Sequence, residues 1–393
     1  MITQAITEES AEIERYEAYL KADPGNTLLW INLGDLYHQA GRLDESIACY
    51  EKCMILDGEN AVARSRLASL LITGKRFADA EKLLRTLLAK EPDNPVLLHN
   101  LGVSLYAQQR WTDALAAFEQ ARSAGLKDAR NLAYTVYALH QNDATGEAMA
   151  VAMDWLQQAP GPATEGYISL LEMDHGDMQA AYQRAQRVLA EQPDNADAAT
   201  VVGNWQLQTQ EIEKAALHFE AVVRRQPNNP RGWLGLGLVQ LYRQRHEDAI
   251  QCFERVLACS PNHPGTLVTL GWARLAHKDF KGSETAFRQA IVADRNFGEA
   301  HGGLASALVF QGRKSEAEKE IRLGLALDKQ NFGAIFARSI ALSLGGKRQV
   351  GEKLLARLLQ QAPAKGAKPL IENIQTFVRQ QGLRGPGEPP GND

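Results

Sequence analysis

Apolar residues along this chain recur three and four positions apart in short bursts. In "LLWINLGDLYHQ", residues 28–39, the spaced set is Trp30, Leu33, Gly34 and Tyr37. After Gly41 a second burst places Ser46, Tyr50 and Cys53 on one helical face. Such spacing is the pattern of a helix with one buried stripe. Residues 28–54 therefore predict two short helices joined by a tight turn.

The same helix pair recurs at a period of 34 residues, in ten units that begin at 27, 61, 95, 129, 162, 196, 230, 264, 298 and 332. One residue is missing from the period near Gly161. Counting each unit from its first residue, position 20 is small throughout, from Ser46, Ala80 and Ala114 to Gly351. Position 8 is small except at Val136, and position 24 is bulky in most units, as at Tyr50, Phe118, Phe219, Phe253 and Phe287. Small residues at 8 and 20 let the two helices approach, and the bulky side chain fills the space beside them. Position 32 is proline at 92, 160, 193, 227, 261 and 363, where it stops the second helix. Asp93-Asn94, Asp194-Asn195 and Asn228-Asn229 suit the turn and the cap of the next helix. A single hairpin of this kind cannot bury its own apolar face; stacking does.

This pattern resembles the tetratricopeptide repeat family, whose signature is Trp-x-x-Leu-Gly-x-x-Tyr, Ala, Phe, Ala, Pro. The first unit supplies Trp30, Leu33, Gly34, Tyr37, Ser46 and Tyr50, and the seventh Trp233, Leu236, Gly237, Ala249, Phe253 and Pro261. The resemblance implies an all-α, right-handed superhelical solenoid of about ten hairpins across residues 27–365. Residues 1–26 read as an N-terminal capping helix, 366–381 as a C-terminal capping helix and 382–393 as a disordered, Gly- and Pro-rich tail. Units over 129–195 follow the pattern least well, and a softer or bent joint is expected there.

The resemblance also implies that the first helices line an inner surface, with partners meeting positions 2, 5, 9, 12 and 13. Those positions are apolar here, above all over residues 230–345. Tyr106 and Tyr137 stand in the early units; Leu238, Leu241 and Tyr242 follow in the seventh, then Trp272, Leu275, Phe310 and Phe336. Position 11 turns polar in four consecutive units, at Glu172, Gln206, Gln240 and Arg274. Together these predict an oily wall beside a strip of hydrogen-bonding groups, suited to a protein or peptide client with apolar anchors. Extra glycines at 232, 235, 302 and 303 fit either a partner backbone or tight helix packing.

Composition narrows the job. The chain is 45% hydrophobic and 23% charged with a net charge of −4, and no basic block of the kind nucleic-acid binders carry is present. No apolar run reaches the length of a membrane span, and the N-terminus lacks a signal-peptide pattern; the expected compartment is the cytoplasm. Cys49, Cys53, Cys252 and Cys259 read as small buried hydrophobes rather than zinc ligands. His38, His99 and His140 fall at inner positions of separate units, with no metal motif around them. "GWLGLGL" at 232–238 lies mid-helix and is no phosphate loop. No catalytic residue, cofactor or metal is expected. The family's two-carboxylate clamp and asparagine ladder are both missing: the first three units offer Ile31, Asp35, Ser65, Ser69, His99 and Val103 instead. The expected function is a non-enzymatic adaptor or chaperone, with secretion or envelope assembly as the context by family analogy. The alternatives are a scaffold that self-associates as a homodimer and a regulatory subunit of an enzyme encoded elsewhere.

Overall fold

The computed structural model describes residues 2–360, with side chains described from 10 to 358. The expected capping helix at 366–381 and the tail at 382–393 lie outside the described residues. All regular structure among the described residues is helical. The described residues form two compact units that divide between Thr164 and Glu165, and the division falls within the stretch whose sequence follows the repeat least.

In the first unit α1 (Ile2–Ala22) precedes the pairs α2 (Thr27–Gln39) and α3 (Leu43–Leu56), α4 (Ala61–Thr73) and α5 (Phe77–Leu88), α6 (Pro95–Ala107) and α7 (Trp111–Ser123), α8 (Ala129–Gln141) and α9 (Thr145–Gln158). The division falls inside α10 (Pro162–Asp174), and the second unit goes on through α11 (Met178–Glu191), α12 (Ala196–Gln208) and α13 (Ile212–Arg225), α14 (Pro230–Tyr242) and α15 (His246–Cys259). It continues through α16 (Pro264–Ala276), α17 (Phe280–Ala293), α18 (Gly298–Phe310), α19 (Lys314–Leu327), α20 (Phe332–Leu344) and α21 (Arg348–Gln360).

Local chemistry sets each boundary. The first helix of a pair is capped by Asn26, Asn60, Asn94, Asp128, Asn195, Asn229, His263 or Asn331, whose side chain accepts a backbone N–H two or three residues on. Between the helices of a pair the backbone turns through one left-handed residue, always at repeat position 15. These are Gly41, Lys75, Gln109, Asp143, Gly176, Gln210, Gln244, Lys278, Gly312 and Gly346. Six of the ten are not glycine, so the turn is imposed by helix packing against a local preference of about 1–2 kcal/mol.

Packing within a pair follows the small–large rule. A Cβ added at Gly203 would stand 2.8 Å from the Phe219 ring, and one at Gly271 2.7 Å from the Phe287 ring. Ser46 and Ser283 donate to the carbonyls of Gly34 and Gly271 at 2.7 and 2.8 Å, which ties the second helix to the first. Packing between pairs reuses the same rings: Gly235 abuts Phe219 and Gly303 abuts Phe287, each from the next unit's first helix. The extra glycines therefore serve contacts within the chain. On the second helices, Glu81 accepts from Arg85, Gln108 and Arg110, and Glu284 accepts from Arg288, Gln311 and Arg313. Each carboxylate thus pins the following hairpin.

Candidate binding surface

The expected oily wall over residues 230–345 is not an open surface. Trp272 is 2% exposed and packs edge-on against Phe287 at 5.5 Å, with Phe336 at 6.1 Å and Phe332 at 6.3 Å. Leu241, Leu275 and Phe336 are equally sealed. Their role as partner contacts is corrected: these side chains form the core between consecutive hairpins. The cause is close approach of the first helices. A Cβ on Gly333 would stand 2.7 Å from the Gly302 carbonyl carbon, and Ser306 donates to the Gly333 carbonyl at 3.2 Å. With α18 and α20 backbone to backbone, the side chains beside them leave solvent.

Other members of that expected wall keep an edge in water. Leu238 and Tyr242 are half-buried against the cluster of Phe219, Leu236 and Val239. Phe310 is half-buried and stacks on Phe280 at 5.5 Å. In the first unit Tyr106 is half-buried, 5.1 Å from Trp111 and 5.7 Å from Tyr134. Tyr137 stands 5.9 Å from Tyr134 and 5.6 Å from Trp155. Burial, then the neighbouring Tyr134, pushes the Tyr106 phenol up, so it stays a neutral hydrogen-bonding group at any ordinary pH.

The polar strip is likewise turned inward. Glu172 is buried and accepts from Arg184 through both oxygens, at 2.9 and 3.1 Å. Arg274 donates to Glu254 at 2.8 Å and to the Gly282 carbonyl at 3.2 Å. Gln206 is buried and Gln240 half-buried, and the amide oxygen of each has no hydrogen-bond partner among the described residues. Glu172 and Arg274 thus face second helices, Glu172 that of its own pair and Arg274 both its own, α17, and the preceding one, α15. The strip is corrected from a ligand edge to an internal seam.

Leu344, at position 13 of α20, is 57% exposed, but among the described residues only in the first three pairs does one inner position stay apolar and exposed from helix to helix. Leu28, Val62 and Val96 all occupy position 2 and are 63%, 52% and 54% exposed. They stand on three consecutive first helices, α2, α4 and α6. Beside them, Asp35 accepts from Tyr50 at 2.6 Å and pairs with Arg66, while His99 meets Asn131 at 3.0 Å. Val62 and Val96 escape a reading based on large aromatics, although their shared repeat position was visible. In the second unit position 2 is charged or glycine. Arg231 there grips Asp174 with two hydrogen bonds, at 3.0 and 2.6 Å. Burial, then Asp328, pushes the Glu299 carboxyl up.

Among the described residues no group of three or more His, Cys, Asp or Glu side chains could hold a metal ion. No described helix is long and apolar enough to cross a membrane. Cys49, Cys53 and Cys252 are buried, whereas Cys259 is exposed.

Comparison with known proteins gives concordant results. Tetratricopeptide repeat models match residues 28–60, 65–124, 99–163, 168–230, 206–264 and 268–332. Over 120 residues the chain is 29% identical to the cytochrome c-type biogenesis protein CycH of Rhizobium meliloti (strain 1021), covering 30% of this chain and 32% of that protein. Over 111 residues it is 30% identical to RNA polymerase II-associated protein 3 of Mus musculus, covering 28% and 17%. The matched segment spans under a third of either relative's own length. Similar solved structures include the APC/C hetero-tetramer Cut9-Hcn1, with a TM-score of 0.55, 14% identity and coverage of 75% of this chain and 59% of that one. The human IFIT1 dimer with m7Gppp-AAAA has a TM-score of 0.52 at 14% identity and covers 86% and 91%. At that identity the likeness is one of fold. Repeats of this kind make protein–protein interaction modules, and this chain belongs to the tetratricopeptide repeat family.

Proposed function

We propose that the chain is a non-enzymatic adaptor or chaperone that grips a protein or peptide segment by its apolar side chains. The grip runs along the inner side of α2, α4 and α6. One observation carries this reading: Leu28, Val62 and Val96 repeat one exposed apolar position on three consecutive helices. Complete burial of a branched aliphatic side chain contributes roughly 1.5–3 kcal/mol, so three half-exposed ones supply on the order of 3 kcal/mol. That is a reversible hold, to which Tyr106 and Tyr137 add aromatic edges with hydroxyl groups.

The partial likeness to a cytochrome c-type biogenesis protein supports a client that is itself under assembly, in keeping with a secretion or envelope-assembly role. Four free thiols fit a reducing compartment such as the cytoplasm. A second copy of the chain is the rival occupant, and the test separates the two.

A photo-crosslinking phenylalanine analogue at position 62 in the native cell should capture one discrete client. The same group at Leu217, 67% exposed on α13, should not, and Leu28→Asp with Val96→Asp should abolish capture at 62. Crosslinks between two copies of this chain would favour the self-associating scaffold. The same pattern at 62 and 217 would remove the reading.

A further inference from the structure

A groove of about 560 Å³ lies between α1 and α3, with α2 as its floor. Its base is apolar: Leu20, Leu33 and Cys49 are buried there, with Ala48 and Trp30 along the sides. None of Leu28, Val62 or Val96 lines it. The volume falls within the roughly 300–1,000 Å³ of pockets that take small ligands, which are mostly apolar with a few convergent polar groups.

Four charged side chains line it, Glu17, Glu45, Lys21 and Lys52. The Trp30 indole N–H already donates to the Pro24 carbonyl at 3.0 Å. Glu17 accepts from the Tyr37 hydroxyl, and Glu45 accepts from Arg42 at 2.9 Å. Arg42 also lies over the Tyr37 ring, 4.4 Å from its centroid. Burial, then Glu17 and Glu45, pushes the Cys49 thiol up to about 12, so it brings no negative charge. Only Lys21 and Lys52 remain: both line the groove, are exposed, and have no ion pair or hydrogen bond among the described residues. With Glu45 paired to Arg42 and Glu17 bonded to the neutral Tyr37 hydroxyl, the unpaired charges are two ammonium groups against one carboxylate, so the rim is net positive and its free donors are the two lysines.

We propose that this groove binds an amphiphilic carboxylate, its hydrocarbon chain on Leu20, Leu33, Ala48 and Trp30 and its head between Lys21 and Lys52. The carboxylate is acceptor-only and anionic, which complements what the rim supplies. The site is separate from the row on α2, α4 and α6, so either reading can fail while the other stands.

Titration calorimetry on the full chain tests this with dodecanoate, dodecanol and dodecyltrimethylammonium, each below its micelle concentration. Dodecanoate should bind saturably at one equivalent and at least tenfold more tightly than the other two. Lys21→Glu with Lys52→Glu should weaken dodecanoate at least tenfold, and Ala48→Trp, at an exposed position, should block the trough. Thermal melts without ligand check that each variant is folded, and the lysine pair decides the matter should Ala48→Trp fail to fold. Equal binding of the three amphiphiles, no saturable binding, or unchanged binding by the lysine variant would overturn the proposal. Binding of an acidic amphipathic peptide in place of dodecanoate would also overturn it, and would give the groove to a protein segment.

Discussion

Replacing Trp272 by alanine distinguishes a core ring from a partner-facing one. The indole is 2% exposed and sits among Phe287, Phe332 and Phe336, with ring centroids 5.5–6.3 Å away. Removing a buried Trp typically costs about 3–5 kcal/mol, of which each lost aromatic pair accounts for about 0.5–1.5. Whole domains are stable by only about 5–15 kcal/mol, so a single ring is a large share. In a stacked array each repeat feels mainly its neighbours, so the loss should stay local. Hydrogen exchange followed by mass spectrometry reads this directly. At tenfold per about 1.4 kcal/mol, amides of α16, α17, α18 and α20 should exchange roughly a hundred- to several-thousand-fold faster. Those of α2 to α7 should be unchanged. Unaltered exchange over 264–344 would refute the core assignment, and loss of client capture without any change in exchange would return the ring to a binding surface.

Further outcomes follow from other contacts. Gly333→Ala should destabilise the second unit by about 1–3 kcal/mol, because the new methyl meets the Gly302 backbone at 2.7 Å; urea unfolding measures it. Gln109→Gly should raise stability by about 0.5–1 kcal/mol by relieving a left-handed φ of +62°, seen as a higher Tm. Burial alone would push the Glu81 carboxyl up, but the bonds from Arg85, Gln108 and Arg110 outweigh it and hold the group below the usual range. A depressed folded pKa gives stability that is complete above the unfolded carboxylate range and is lost as pH falls through the folded value. Glu81→Gln should therefore flatten the acid limb of a stability–pH curve below about pH 4.3, and an unchanged limb would contradict the pairing.

The architecture was legible because it rests on residue size at a fixed period. Small residues facing Phe118, Phe219, Phe253 and Phe287, asparagine caps and prolines at the ends state the hairpin in local terms. The left-handed turns at Lys75, Gln109, Gln210, Gln244 and Lys278 were not legible, because no glycine marks them and only the packed helices enforce them. The binding surface was harder for a different reason. One repeat position carries Leu28, exposed, in the first pair and Gly333, buried, in the last, so position alone does not decide exposure. The distance between consecutive first helices decides it, and glycine sets that distance. At Gly302, Gly303 and Gly333 the backbones of α18 and α20 meet, and Ser306, Phe336 and Ile340 are sealed. Between α2, α4 and α6 no glycine stands at the matching positions: Ile31, Ser65 and His99 take the place of Gly302, and Leu28, Val62 and Val96 that of Gly333, and the last three stay in water. Of the two readings open for these glycines, a partner backbone or tight helix packing, the second holds, and they close the surface where they occur. The repeated apolar edge of α2, α4 and α6 has no such glycines beneath it, and on that physical ground the proposed client is placed at the first three pairs.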